Sequence, residues 1–198
     1  LLGAKLDFVD IDAQTLNLCP RRLEEKLKKK RTRPPDYLIV VHFGGNPCEM
    51  KDIFKLSKQY GFKIIEDSSH ALGANYKNTK VGDCKYSDMS VFSFHPIKSI
   101  TSGEGGMVTT NSRRLSESLL ILRSHGILKN RSIFDNRFRI DTHYDQIKLG
   151  FNFRMNDIEA SLGISQFKKL KKFIKKRKKI ANFYFQKLKK IPVSLPIN

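Results

Sequence analysis

Residues 37–43 read Tyr-Leu-Ile-Val-Val-His-Phe, a nearly all apolar run of strand length broken only by one histidine. A strand with one wet face alternates polar and apolar residues, whereas a run without alternation belongs to a strand covered on both faces, as in a parallel sheet with crossover helices. The flanking sequence keeps that rhythm. Strands are expected at 5–10, 63–67, 89–94 and 106–110, with helices near 20–30 and 50–60, the second stopped by Gly61. A helix over 112–123 follows the last strand. After a polar, aromatic-rich connection around 134–144, Asn156 and Asp157 offer caps for one long helix running to about residue 188, and Pro192 and Pro196 break the pattern. Alternating elements of this kind define the α/β class.

Open sheets of this class bind ligands outside the carboxyl ends of their strands. Two runs deliver chemistry there. In Ile64-Ile65-Glu66-Asp67-Ser68-Ser69-His70-Ala71-Leu72-Gly73-Ala74, Asp67 ends the strand and alternation turns Glu66 to the opposite face. In residues 90–106, Lys98 follows an apolar strand and enters a Ser/Thr/Gly loop, apart from the chain's lysine-rich surface stretches. An amine, an acid and a flat aromatic side chain at successive strand ends suggest pyridoxal phosphate chemistry. The lysine would hold the aldehyde as a Schiff base, and the carboxylate would pair with the protonated ring nitrogen. Taken singly, Asp67 also reads as a capping or ion-paired acid, and His70 as a structural histidine.

These two runs, together with Gly126 and Gly150-Phe151-Asn152-Phe153-Arg154-Met155-Asn156-Asp157, resemble the DegT/DnrJ/EryC1/StrS family of sugar aminotransferases over nearly the whole chain. The resemblance implies the type I fold of pyridoxal-phosphate-dependent transferases: a mostly parallel sheet of the large domain with flanking helices, here incomplete at both ends. Residues 1–150 would be part of the large cofactor-binding domain. Residues 151–191 would be a cofactor loop and long connecting helix, and 192–198 the start of a small C-terminal domain. The implied cofactor is pyridoxal 5'-phosphate. Lys98 and Asp67 would be catalytic and cofactor-binding, His70 would stack on or hydrogen-bond the ring near its phenolic oxygen, and the Ser93 hydroxyl would bind the phosphate. Asn152 and Arg154 would reach the phosphate of the neighbouring subunit in a homodimer with shared sites. Lysine at 98, where dehydratases of the family carry histidine, implies transamination. His95 and Glu104 take no role, and Gly103, Gly105 and Gly106 read as a tight turn.

A narrower likeness rests on Ser-Phe-His-Pro-Ile-Lys (93–98), Leu-Arg-Ser-His-Gly-Ile (122–127) and Ile-Ala-Asn-Phe-Tyr (180–184). It points to the pseudaminic acid branch of the family, with glutamate as amino donor and a UDP-sugar acceptor aminated at C4, a UDP-linked 4-keto-6-deoxy-N-acetylhexosamine. Another nucleotide-sugar aminotransferase of the family is the alternative. So is a noncatalytic truncated remnant with a basic binding surface.

The net charge of +19 raises the question of nucleic acid. The basic residues concentrate in 21–33 and 168–179. In the second run Phe167, Leu170, Ile174, Ala181, Tyr184 and Leu188 recur at helical spacing, with one gap filled by Arg177, so the lysines read as the solvated face of an amphipathic helix. No aromatic residues interleave with them in a stacking pattern and no zinc or recognition-helix signature accompanies them, so no specific nucleic acid partner is expected. Cys19, Cys48 and Cys84 lie in no metal or redox spacing, and no metal is expected. No apolar run reaches the roughly 18 to 20 residues of a membrane helix, and no signal-like segment opens the chain, so a cytoplasmic enzyme is expected.

Overall fold

A computed structural model describes residues 2–29, 33–128 and 145–195. The expected connection at 134–144 and Pro196 lie outside them. The elements are α1 (Pro20–Leu27), β1 (Tyr37–Val41), α2 (Met50–Tyr60), β2 (Lys63–Asp67), β3 (Asn75–Tyr76), β4 (Thr79–Lys80), β5 (Met89–Ser93) and β6 (Gly106–Thr109), followed by α3 (Arg113–Leu122), β7 (Ile127–Leu128), β8 (Asp145–Gln146), α4 (Asp157–Phe167) and α5 (Leu170–Leu188). Strands β1, β2, β5 and β6 form one sheet in that order; β1, β2 and β5 run parallel, and β6 returns antiparallel against β5. A mostly parallel sheet with flanking helices is therefore present, as expected.

The amphipathic helices decide which sheet face is dry. Leu23 of α1 and Met50, Ile53 and Leu56 of α2 bury against Leu38, Val40 and Ile64 of the strands in one cluster. Burying each such side chain contributes about 1.5–3 kcal/mol. The opposite face of β1 carries Tyr37 and Ile39, both 62 % exposed, and Val41. The apolar run at 37–43 thus has one face covered by described residues, not two. Residues 5–10 also differ from expectation: they form no strand, and Leu6 and Phe8 are each 82 % exposed. A strand needs a partner for its backbone groups. This segment lies along α1 instead, where the Lys26 ammonium bonds the Asp7 carboxylate and the Phe8 carbonyl.

The C-terminal helix expected as one is two. Asn156 caps α4 in a full capping box, its side chain accepting from the Glu159 amide at 2.9 Å while Glu159 reaches back to the Asn156 amide. The chain then tightens at 168–169, where the Lys169 amide bonds the Gln166 carbonyl three residues back. The break re-aims α5, whose Leu170 and Phe173 pack with Leu72 and Met155 around buried Phe92, Phe94 and Ile100. Beyond Arg177 the stripe stands in the open, with Ile180, Phe183 and Tyr184 more than half exposed. Among the described residues no helix is long and apolar enough to cross a membrane. Cys48 and Cys84 are buried free thiols, and burial pushes the Cys48 thiol up to about 12, which leaves it protonated and unreactive near neutral pH.

Candidate active site

Because β1, β2 and β5 are parallel, their carboxyl ends meet at one sheet edge. Register then fixes which side chains share a face. Val41 lies opposite Asp67 and Asp67 opposite Val91, so Ser93, two residues beyond Val91, leaves the sheet on the face of Asp67. Glu66 leaves on the other face and is buried. Asp67 is half-buried; its Oδ1 accepts from the Ser69 amide at 3.0 Å and its carbonyl from the His42 amide at 3.1 Å. The turn behind it is tied down by the Ser68 amide, which donates to the Val91 carbonyl at 2.8 Å, and by a buried contact of 2.7 Å between the Ser68 and Ser90 hydroxyls.

His70 comes three residues after Asp67 on the exposed side of that turn, its ring edge-on to Phe43 at 6.2 Å. The approach of the two strand-end loops depends on Gly45, where a Cβ would stand 2.8 Å from the His70 carbonyl oxygen. Lys98 lies on the connection between β5 and β6. The base of that connection is closed by the Phe94 amide to the Gly105 carbonyl at 2.9 Å and the Ser102 amide to the Phe94 carbonyl at 3.0 Å. Ile100, only 3 % exposed, anchors its middle in the core. The Lys98 amide donates to the His95 carbonyl at 3.0 Å. The Ser93 hydroxyl accepts from the His95 amide at 3.3 Å, which leaves its own proton available to donate.

One partner of this loop comes from far along the chain. The Arg177 guanidinium of α5 donates to the Lys98 carbonyl at 2.9 Å. Together with Lys98, Thr101, Phe173, Lys176 and Ile180 it lines a cleft of about 280 Å³ between loop and helix. Its sequence signal was the polar interruption of an apolar stripe. A second unforeseen feature is buried His42, the lone polar residue in the apolar 37–43 run, whose ring meets Glu66 at 2.7 Å.

Asp67 and Ser93 therefore share one sheet face at the strand ends, with His70 on the turn after Asp67 and Lys98 on the loop after Ser93, where it lines the cleft against α5; Asn152 and Arg154 are exposed on a segment fastened to the end of α3. The Phe151 amide bonds the Leu122 carbonyl at 2.9 Å and the Phe153 amide the Arg123 carbonyl at 2.8 Å. Gly126 makes this fastening possible, since a Cβ there would collide with the Lys148 carbonyl. From 147 to 154 the segment alternates: Ile147, Leu149, Phe151 and Phe153 are all at least half exposed, with the two phenylalanine rings stacked at 4.9 Å. Among the described residues no group of His, Cys, Asp and Glu gathers in a metal-holding arrangement.

The family model for DegT/DnrJ/EryC1/StrS aminotransferases matches residues 1–198. A Campylobacter jejuni protein named UDP-4-amino-4,6-dideoxy-N-acetyl-beta-L-altrosamine transaminase is 43 % identical over 192 residues, which cover 97 % of this chain and 48 % of that protein. Among solved structures, Helicobacter pylori PseC, an aminotransferase involved in the biosynthesis of pseudoaminic acid, aligns with a TM-score of 0.82 at 37 % identity, covering 96 % of this chain and 47 % of the other. The PLP form of Streptococcus pneumoniae Spr1654 aligns with a TM-score of 0.77 at 26 % identity, covering 94 % and 49 %. The chain spans about half the length of the curated relatives it matches.

Proposed function

Since the chain belongs to the DegT/DnrJ/EryC1/StrS aminotransferase family, we propose that the protein carrying it is a pyridoxal-phosphate-dependent transaminase. It moves an amino group from glutamate to C4 of a UDP-linked 4-keto-6-deoxy-N-acetylhexosamine. The observation that carries this reading is the convergence of Asp67 and Ser93 on one sheet face at the strand ends, with Lys98 on the loop that follows. That donor set fits pyridoxal 5'-phosphate: an amine for its aldehyde, a carboxylate for its ring nitrogen, a hydroxyl for its phosphate. When bound, the cofactor supplies an electron-accepting ring and a carbonyl that exchanges amino groups.

Lys98 Nζ would hold the aldehyde of the cofactor and, as a free amine, would serve as the base that moves a proton at the donor carbon. The Asp67 carboxylate would pair with the ring nitrogen and favour its protonated form. His70, on the turn after Asp67, would hold the ring, and the Ser93 hydroxyl would hold the phosphate. The altrosamine transaminase name of the relatives from Campylobacter jejuni and Helicobacter pylori supports the choice of sugar.

Asn152 and Arg154 serve the phosphate in the partner subunit of a homodimer. Two features support this: the segment bearing them is fastened by backbone hydrogen bonds to the end of α3, and its exposed apolar face of Ile147, Leu149, Phe151 and Phe153 is suited to burial between subunits. Residues 1–150 then belong to the large cofactor-binding domain, 151–191 to the shared loop and connecting helices, and 192–198 to the start of a second, smaller domain. In the protein carrying this chain, Lys98→Ala is expected to abolish amino transfer while circular dichroism stays unchanged. Turnover near the unaltered rate would refute the assignment.

A further inference from the structure

His42 is 0 % exposed and has every polar atom engaged. Its Nδ1 accepts from the Cys48 amide at 3.1 Å, so that nitrogen carries no proton; Nε2 carries it and donates to Glu66 Oε2 at 2.7 Å. The ring is thereby held in one tautomer against the Glu66 carboxyl group. The other Glu66 oxygen accepts from the Ser87 hydroxyl. The main-chain N–H of the same His42 donates to the Asp67 carbonyl at 3.1 Å. One residue thus grips two consecutive positions of β2, Glu66 through its side chain and Asp67 through its backbone.

We infer that His42 and Glu66 are a positioning pair that sets the direction in which the Asp67 carboxylate leaves the sheet; the inference rests on the ring-nitrogen role proposed for Asp67. Neighbouring side chains of a strand point to opposite faces, so they turn together about the peptide that joins them. Glu66 is fixed on the buried face by His42 and Ser87, and the peptide after Asp67 is fixed by the His42 amide. With both sides of its Cα held, Asp67 has little freedom except at its own side-chain torsions, where the Ser69 amide already bonds Oδ1. His42 and Glu66 touch no ligand themselves. Their effect is read at the site through Asp67.

The test uses the protein carrying this chain, loaded with pyridoxal 5'-phosphate labelled with nitrogen-15 in the ring. Glu66→Met removes the acceptor for Nε2–H and keeps the volume, whereas Glu66→Gln keeps an acceptor oxygen. The pair predicts that Glu66→Met moves the ring-nitrogen resonance toward the unprotonated value and slows the half-reaction with glutamate about tenfold to a hundredfold, the range that misplacement by an ångström produces. Glu66→Gln restores both readouts. His42→Asn, which keeps an acceptor for the Cys48 amide but does not span to Glu66, gives the same losses if Glu66→Met fails to accumulate. A folded Glu66→Met or His42→Asn protein with unaltered resonance and rate would overturn the inference, as would failure of both to fold, which would make the pair a core stabiliser only. Asp67→Asn is the separating control. If it leaves the resonance unmoved, the reading of Asp67 itself fails; if it moves the resonance and Glu66→Met does not, only the positioning pair fails.

Discussion

At the scale of single residues, the site turns on the difference between Glu66 and Asp67, adjacent acids with opposite fates. Glu66 is buried and spent on His42 and Ser87, whereas Asp67 keeps one carboxylate oxygen clear of the internal bonds described above. The value of Asp67 lies in its charge. Asp67→Asn preserves shape and the bond from Ser69 but no longer favours a protonated ring, so the proton-transfer step is expected to slow by about 10²–10³, read by stopped-flow absorbance with saturating cofactor. Near-normal rates would remove Asp67 from the mechanism. That Glu66 and Asp67 leave the sheet on opposite faces was legible from strand alternation alone. The part played by His42 was not, because its partners are 24 residues on in another strand and 6 residues on past a turn, and neither separation follows a helical or strand period.

At the scale of elements, β1, α2, β2, β5, β6 and α3 lie where hydrophobic periodicity and their caps put them. What periodicity misplaced has a common physical cause, which is tertiary contact. Residues 5–10 alternate like a strand but find no ladder partner among the described residues, and the lysine-rich helix breaks at 168–169 so that its second half meets the Lys98 loop. The basic face of α5 is accordingly of two kinds. Lys171, Lys172 and Lys175 are exposed and line no part of the cleft, whereas Lys176 and Arg177 line the cleft beside Lys98. Changing Lys171, Lys172 and Lys175 together to glutamine is expected to leave amino transfer within about twofold and stability within about 0.5 kcal/mol per site, as for surface substitutions generally. Loss of activity at unchanged circular dichroism would place that face in a site or an obligatory interface.

At the scale of the whole molecule, one sheet face and the 147–153 segment leave apolar side chains in the open, more than a chain of this size exposes singly. The homodimer reading gives the second of these surfaces an occupant and makes an arithmetic prediction. A protein with Lys98→Ala and another with both Asn152→Ala and Arg154→Ala each spoil every site of their own homodimer. After random exchange about half the dimers are mixed, and two-fold symmetry gives each mixed dimer one intact site, so about a quarter of the unaltered activity is expected to return. No recovery, with exchange verified by native mass spectrometry, would show that the segment serves its own chain or does not serve the cofactor. All of this presupposes that Lys98, out of the 38 lysines and arginines that make the chain so basic, is the amine that holds pyridoxal phosphate. Borohydride reduction of the loaded protein, followed by peptide mapping in a mass spectrometer, tests that directly. The reduced cofactor is expected on Lys98 alone, and an adduct on any other lysine with Lys98 unmodified would contradict the account.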